Sequence, residues 1–316
     1  MTTYLVVSGG GAHGAFAVGA LKALAAAGVR FDGVVGTSTG ALIAPLVATG
    51  ELDLLEEIYT SVRTRDILRW WPWNLLAVRA WYSTGPLEKL IARQLTPERY
   101  ARLLASPTQV WLATVALQSG QVTYWNPRQG PGGQPLSLEV FRRALLASAS
   151  QPVLMPLQAM PDGLQHADGG LREIAPLRKA IDEGAEAIWA VVLTPAAPSL
   201  RREPYRSVLA IAGRTLDLLL AEIVAGDVHT ATTINAVLDW LEALRGRLAA
   251  HLAADELAAL FADFPLAGKR LLELHLLRPE AELPGSSLRF DPGLMREMVA
   301  QGEAAARRYL ARCGVV

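Results

Sequence analysis

The sequence predicts an α/β protein, a mostly parallel sheet with helices packed on it, and three features carry that expectation. Residues 4–8 are a short β-branched apolar run that stops at Gly9-Gly10-Gly11, the pattern of a buried parallel strand. In residues 14–27, Phe16, Val18, Leu21 and Leu24 recur at helical spacing, and Gly28 follows as a C-terminal stop. Residues 33–35 then make a second brief strand and residues 41–47 begin another helix. Strand, helix, strand, helix in that order calls for a parallel sheet flanked by helices.

Later elements fit the same scheme. Residues 110–117 and 122–125, joined across Ser119-Gly120, read as a hairpin. Residues 141–149 are helical, 188–193 and 271–277 are strand candidates, and the glycine-rich stretch 127–135 is a surface loop. Residues 205–264 read as nearly continuous amphipathic helix, with Leu216, Leu219, Leu220, Ile223 and Val224 along one face; residues 292–311 form a closing helix. No repeat and no linker divides the chain. The expectation is one domain over 1–316: a catalytic core over 1–200, a helical cover over 201–268, and a closing strand and helix over 269–316.

A chain of 316 residues can bury a large core. Lysine plus arginine and aspartate plus glutamate stand at 30 each, so net charge gives no reason to expect nucleic acid. Cys313 is the single cysteine, so no intrachain disulfide forms and a reducing compartment fits. The N-terminal apolar run is short and has no basic region before it, so it does not read as a signal peptide. No stretch reaches the roughly 20 apolar residues that span a bilayer. The expected location is cytoplasmic, with peripheral contact at a membrane surface left open. The five histidines form no i, i+4 pair and no HExxH pattern, so neither metal nor cofactor is expected.

Gly36-Thr37-Ser38-Thr39-Gly40 is a G-x-S-x-G pattern placed where a strand ends and a helix begins, the context that gives the motif meaning. Flanking glycines permit the sharp turn that lifts the serine side chain, and the helix N-terminus behind Ser38 favours developing negative charge. Gly9-Gly10-Gly11-Ala12-His13-Gly14 also lies between a strand and a helix. Acyl transfer needs preorganised donors for an oxyanion, and glycine N–H groups supply them without steric cost. In a parallel sheet both loops emerge at the same C-terminal edge. The third element is Asp168-Gly169-Gly170, an acid held by a tight turn.

In order and spacing these three elements resemble the patatin-like phospholipases, which have a glycine-rich oxyanion loop, a G-x-S-x-G elbow one βα unit later, and a distal Asp-Gly-Gly or Asp-Gly-Ala. Ala147-Ser148-Ala149-Ser150-Gln151-Pro152 also resembles the family's segment between serine and aspartate. The resemblance runs from Leu5 to about Ala311 and implies a three-layer α/β/α fold with a mostly parallel central sheet. It further implies Ser38 as nucleophile, Asp168 as general base with no histidine between them, and Gly9, Gly10 and Gly11 as the oxyanion hole. Gly14, Gly36, Gly40, Gly169 and Gly170 would shape the motifs. Where the family usually carries arginine or lysine this chain has His13, so a fixed charge beside the oxyanion loop does not follow.

Two other readings compete. A Ser-His-Asp esterase would take its histidine from His229, His251 or His275, all of which follow Asp168. That fold places several strands before its elbow, whereas this chain offers only one ahead of the elbow's own. Dinucleotide binding would use Gly9-x-Gly11-x-x-Gly14 with Asp32 at about the required distance, but leaves Ser38 and Asp168-Gly169-Gly170 unexplained.

The resemblance favours a lipid acyl ester as substrate. Residues 63–82 hold Trp70, Trp71, Trp73 and Trp81 among Arg63, Arg65, Arg69 and Arg79. Tryptophan prefers bilayer interfaces and arginine attracts anionic headgroups, so transient membrane contact through Trp70, Trp71 and Trp73 is one expectation. Closure of the core by these rings is the other.

Overall fold

The structure is a computed structural model that describes residues 1–70, 80–130, 133–197, 204–206, 208–262, 264, 266 and 270–314, with the side chains at 208–210, 212, 213, 216, 217 and 220 excepted. Trp71, Trp73 and Arg79, and the side chains of Leu216 and Leu220, lie outside the described residues.

The strands are β1 (Thr3–Val7), β2 (Gly33–Thr37), β3 (Arg69–Trp70), β4 (Tyr82–Ser83), β5 (Gln109–Ala116), β6 (Gln121–Trp125), β7 (Gln158–Ala159), β8 (Gln165–Asp168), β9 (Ala187–Val191) and β10 (Glu273–Leu277). The main sheet runs β10-β9-β1-β2-β5-β8-β7, with β6 also paired to β5. Neighbours from β10 to β5 are parallel; β6, β7 and β8 join antiparallel. The sheet is thus mostly parallel, as predicted, with an antiparallel flank that carries Asp168.

Side-chain alternation along β1 builds the layers. Leu5 and Val7 enter one core with Phe16, Leu21, Ile43, Phe141 and Met298, beneath the helices Gly14–Ala26, Thr39–Ala48, Leu138–Ser148 and Pro292–Cys313. Tyr4 and Val6 enter the other with Ile174, Leu177, Ala180, Val224 and Val228, beneath the helices Leu177–Asp182 and Val208–Leu248. A period of two puts successive residues on opposite faces, and helices cover both. Gly19 and Gly302 let the first and last helices touch: a Cβ on either would lie 1.9 Å from a carbonyl oxygen of the other helix.

The nearly continuous helix expected over 205–264 is divided into two, Val208–Leu248 and Ala254–Phe261. At the second start Ala253 is extended, its N–H donates to Glu256 Oε2 at 3.1 Å, and Asp255 and Glu256 place negative charge in the first turn. That is a new N-terminus, which apolar periodicity alone does not register.

Candidate active site

Ser38 sits at the junction of β2 and the helix Thr39–Ala48 with φ 57° and ψ −121°, a left-handed backbone that a non-glycine residue adopts at a cost. The turn closes so tightly that a Cβ on Gly36 would lie 2.3 Å from the Gly40 backbone, and one on Gly40 would lie 2.1 Å from the Val7 carbonyl. Side chains in either place would force the elbow open. The Ser38 N–H donates to Ser148 Oγ at 3.0 Å, and the Thr39 and Tyr59 hydroxyls share a hydrogen bond beneath it.

Asp168 ends β8, 5% exposed, and lines one cleft with Ser38, which is 6% exposed. Its Oδ1 accepts the Gly170 N–H at 2.8 Å, which gives the Asp-Gly-Gly turn its function, and its own N–H donates to the Ser150 carbonyl at 2.8 Å. Oδ2 is buried without a hydrogen-bond partner. Burial is the main influence on this carboxyl and pushes its pKa up to about 6; the Gly170 N–H and the neighbouring Ser38 hydroxyl oppose it. Ser38 therefore stands close enough to favour the carboxylate, short of a well-formed hydrogen bond.

The glycine loop is narrower in its offerings than the sequence implied. The Gly9 N–H donates to the Ile174 carbonyl at 3.0 Å and the Ala12 N–H to the Ser287 carbonyl at 2.8 Å. Within residues 9–14, the N–H groups of Gly10 and Gly11 are the ones no such bond claims. Gly14 opens the first helix, where a Cβ would strike Thr39 Oγ1 at 2.5 Å, and a Cβ on Gly169 would lie 2.6 Å from the Ala113 carbonyl oxygen. His13 Nε2 lies 3.4 Å from the Gly285 carbonyl, turned to the chain's last segment.

Two spaces meet at Ser38. One is the cleft of about 450 Å³ bounded by Gly9, Gly10, Gln151, Asp168, Leu171 and Ile174. The other, about 1030 Å³ including its open mouth, is walled by Leu42, Leu55, Ile91, Leu145, Leu288 and Phe290 among other apolar side chains. Among the described residues no histidine lines either. His275 stacks on Trp189 at 4.0 Å and pairs with Glu273, while His229 and His251 are exposed on the cover. The dinucleotide reading fares no better. Asp32 accepts the Thr3 N–H at 2.8 Å, and the segment around Ser287 lies on Gly11, where a Cβ would be 2.1 Å from its carbonyl.

Sequence reasoning passed over Ser148 as anything beyond a resemblance. Its hydroxyl accepts from Ser38 and donates to the Ala113 carbonyl at 2.6 Å, tying the elbow to β5. Beyond the resemblance of residues 147–152, the sequence carries no signal for this contact between residues 110 positions apart.

The patatin-like phospholipase family matches residues 5–181, more than half of the chain, and the chain belongs to it. Over 63 residues it is 47% identical to the cUMP-AMP-activated phospholipase of Escherichia coli, a match that covers 18% of this chain and 20% of that protein. The matched stretch is thus about a fifth of that curated relative's length. VipD from Legionella pneumophila aligns over 98% of this chain and 67% of its own, with a TM-score of 0.50 and 12% identity, a likeness of fold alone. The type III effector protein ExoU aligns over 98% of this chain and 53% of its own, with 14% identity and a TM-score of 0.41, too loose to inform the fold.

Proposed function

We propose that this chain hydrolyses carboxylic esters of lipids, as a phospholipase A or lysophospholipase would, through Ser38 and Asp168. The observation that carries the reading is the shared cleft: a strained, buried serine beside a buried aspartate whose Oδ2 has no partner, opening onto an apolar cavity. In the first step Asp168 takes the Ser38 hydroxyl proton, Oγ bonds to the ester carbonyl carbon, and the carbonyl oxygen becomes an oxyanion. The N–H groups of Gly10 and Gly11 stabilise that charge. Asp168 returns the proton to the departing alcohol as the C–O bond breaks. Water, deprotonated by Asp168, then releases the acid and restores Ser38. Burial suits Asp168 to this work, because an ordinary carboxylate is too weak a base. The acyl chain lies in the cavity walled by Leu42, Ile91 and Phe290.

Approach to a lipid surface belongs to the same proposal. Among the described residues no helix is long and apolar enough to cross a membrane. Trp70 is 50% exposed, held edge-on by Trp81 at 5.8 Å and Tyr82 at 5.4 Å. A cleft lined by Arg63, Arg65, Arg289 and Arg296, with Asp291 paired to Arg289 at 3.8 Å, keeps an excess of positive charge and shares Phe290 with the wall of the apolar cavity. An exposed tryptophan with arginines nearby suits anionic headgroups.

Lipid products profiled by mass spectrometry test the reading. Wild-type protein should release long-chain fatty acids from glycerophospholipids, and Ser38→Ala should release none. Equal release by the two proteins would remove Ser38 from the chemistry.

A further inference from the structure

Three loops have to agree for the proposed chemistry: the elbow, the oxyanion loop and the turn after Asp168. All three meet at residues 173–175. The Thr37 hydroxyl donates to the Glu173 carbonyl at 2.9 Å. The Gly9 N–H donates to the Ile174 carbonyl at 3.0 Å. The Ile174 side chain fills the space over both glycine turns, 3.1 Å from where a Cβ on Gly9 would be and 3.5 Å from one on Gly170. This node is irregular backbone, lying between the turn at Gly169–Leu171 and the helix Leu177–Asp182. Locally the Glu173 N–H donates to the Gly169 carbonyl at 2.9 Å and the Leu177 N–H to the Ala175 carbonyl at 2.7 Å, and further restraints come from outside the segment.

One comes from the cover helix Val208–Leu248. Asp227 Oδ2 accepts the Ala175 N–H at 3.3 Å, and the neighbouring Ile174 backbone also favours the ionised carboxylate. Charge balance does not explain an acid here. Glu173, which the Tyr124 hydroxyl contacts, adds negative charge beside Asp227, and burial raises the Asp227 pKa to about 7. Docking of the helix does not explain it either, because Val224, Val228 and Ala231 supply the buried apolar face. What the carboxylate does is hold the Ala175 peptide N–H, next to Ile174. We propose that Asp227 is a positioning residue, clamping the 174–175 backbone so that Gly9–Gly11 and the Asp168 turn stay aligned on Ser38. It lies beyond residues 5–181, the stretch the family matches, and so gives the cover helix a part in catalysis. The inference rests on the acyl-hydrolase reading for its catalytic consequence, though not for the clamp itself.

Two measurements separate those layers. On a short soluble ester, Asp227→Ala should lower kcat by about ten- to a hundredfold with KM unchanged, since misalignment rather than binding is affected. Asp227→Asn keeps one acceptor oxygen and should recover most of the loss. Hydrogen–deuterium exchange, which needs no activity, should show the Gly9 and Ala175 amides exchanging faster in Asp227→Ala, with the melting of the whole chain little changed. Should that variant not fold, Asp227→Ser, too short to reach the Ala175 amide, takes its place. Faster exchange in a protein inert toward every ester would keep the clamp and sink the hydrolase reading. An active wild type whose Asp227→Ala form matches it in kcat and in exchange at Gly9 would overturn the proposal.

Discussion

Ser148 holds Ser38 by its backbone: the Ser38 N–H donates to Ser148 Oγ at 3.0 Å, and that hydroxyl donates onward to the Ala113 carbonyl at 2.6 Å. All of these groups are buried, and the Ser38 backbone is in a left-handed conformation that needs outside support. Ser148→Ala should therefore leave a buried donor and a buried acceptor unpaired, at about 1–3 kcal/mol of stability. A melting curve and turnover of a soluble ester check this together. Loss of stability with kcat lowered about tenfold is the expected pair, since a shifted nucleophile reacts more slowly. Wild-type values for both would show that the elbow stands without Ser148.

Asp168 should set the acid limb of the pH profile. With its pKa pushed up to about 6 by burial, the ionised base is lost below that value, so turnover should fall as pH drops through 6. Asp168→Asn should lower turnover by about two to four orders of magnitude at pH 8, a gap that narrows below pH 6 as wild type loses its ionised base. Stability should move the opposite way. Because the folded-state pKa lies above the ordinary 3.8, the native protein binds the proton more tightly than the unfolded chain does, and stability falls as pH rises from about 4 to 6. Removing the charge should then stabilise the fold at pH 8 by up to about 3 kcal/mol, an advantage that vanishes near pH 4. An Asn variant less stable than wild type at pH 8 would contradict the desolvation account.

Membrane approach separates two substrates. Trp70→Ala, and the pair Arg289→Glu with Arg296→Glu, should depress hydrolysis of anionic vesicles by about tenfold while leaving a short soluble ester within twofold. Each arginine contributes roughly 1 kcal/mol near an anionic surface, and salt should weaken that part. Equal losses on both substrates with a lower melting temperature would return Trp70 to a packing role.

Much of this was legible in the sequence because it rests on short-range rules. The β1 run before Gly9, the elbow around Ser38 and the turn after Asp168 are each set by glycines within a few residues, and the structure brings Ser38 and Asp168 to one cleft. What stayed hidden depends on distant chain. The helices Gly85–Gln94 and Pro97–Ala105, which wall the apolar cavity, have ordinary periodicity and announce themselves only by Pro86, Pro97 and the Thr96 cap. The resemblance implies Gly9 as an oxyanion donor, yet its N–H donates to the carbonyl of Ile174, a residue 165 positions away in a loop without periodicity. The antiparallel pairing of β8 with β5 likewise follows from tertiary packing, not from the four residues of β8.

The most direct test of the central claim is covalent. A fluorophosphonate reacts with a serine only where a base and an oxyanion site activate it, so labelling reports the constellation itself. Peptide mapping by mass spectrometry should find one adduct, on Ser38, with labelling nearly abolished in Asp168→Asn and untouched in His229→Ala and His251→Ala. An adduct on another serine, or ester turnover by a protein that takes no label, would contradict the assignment of Ser38 as nucleophile.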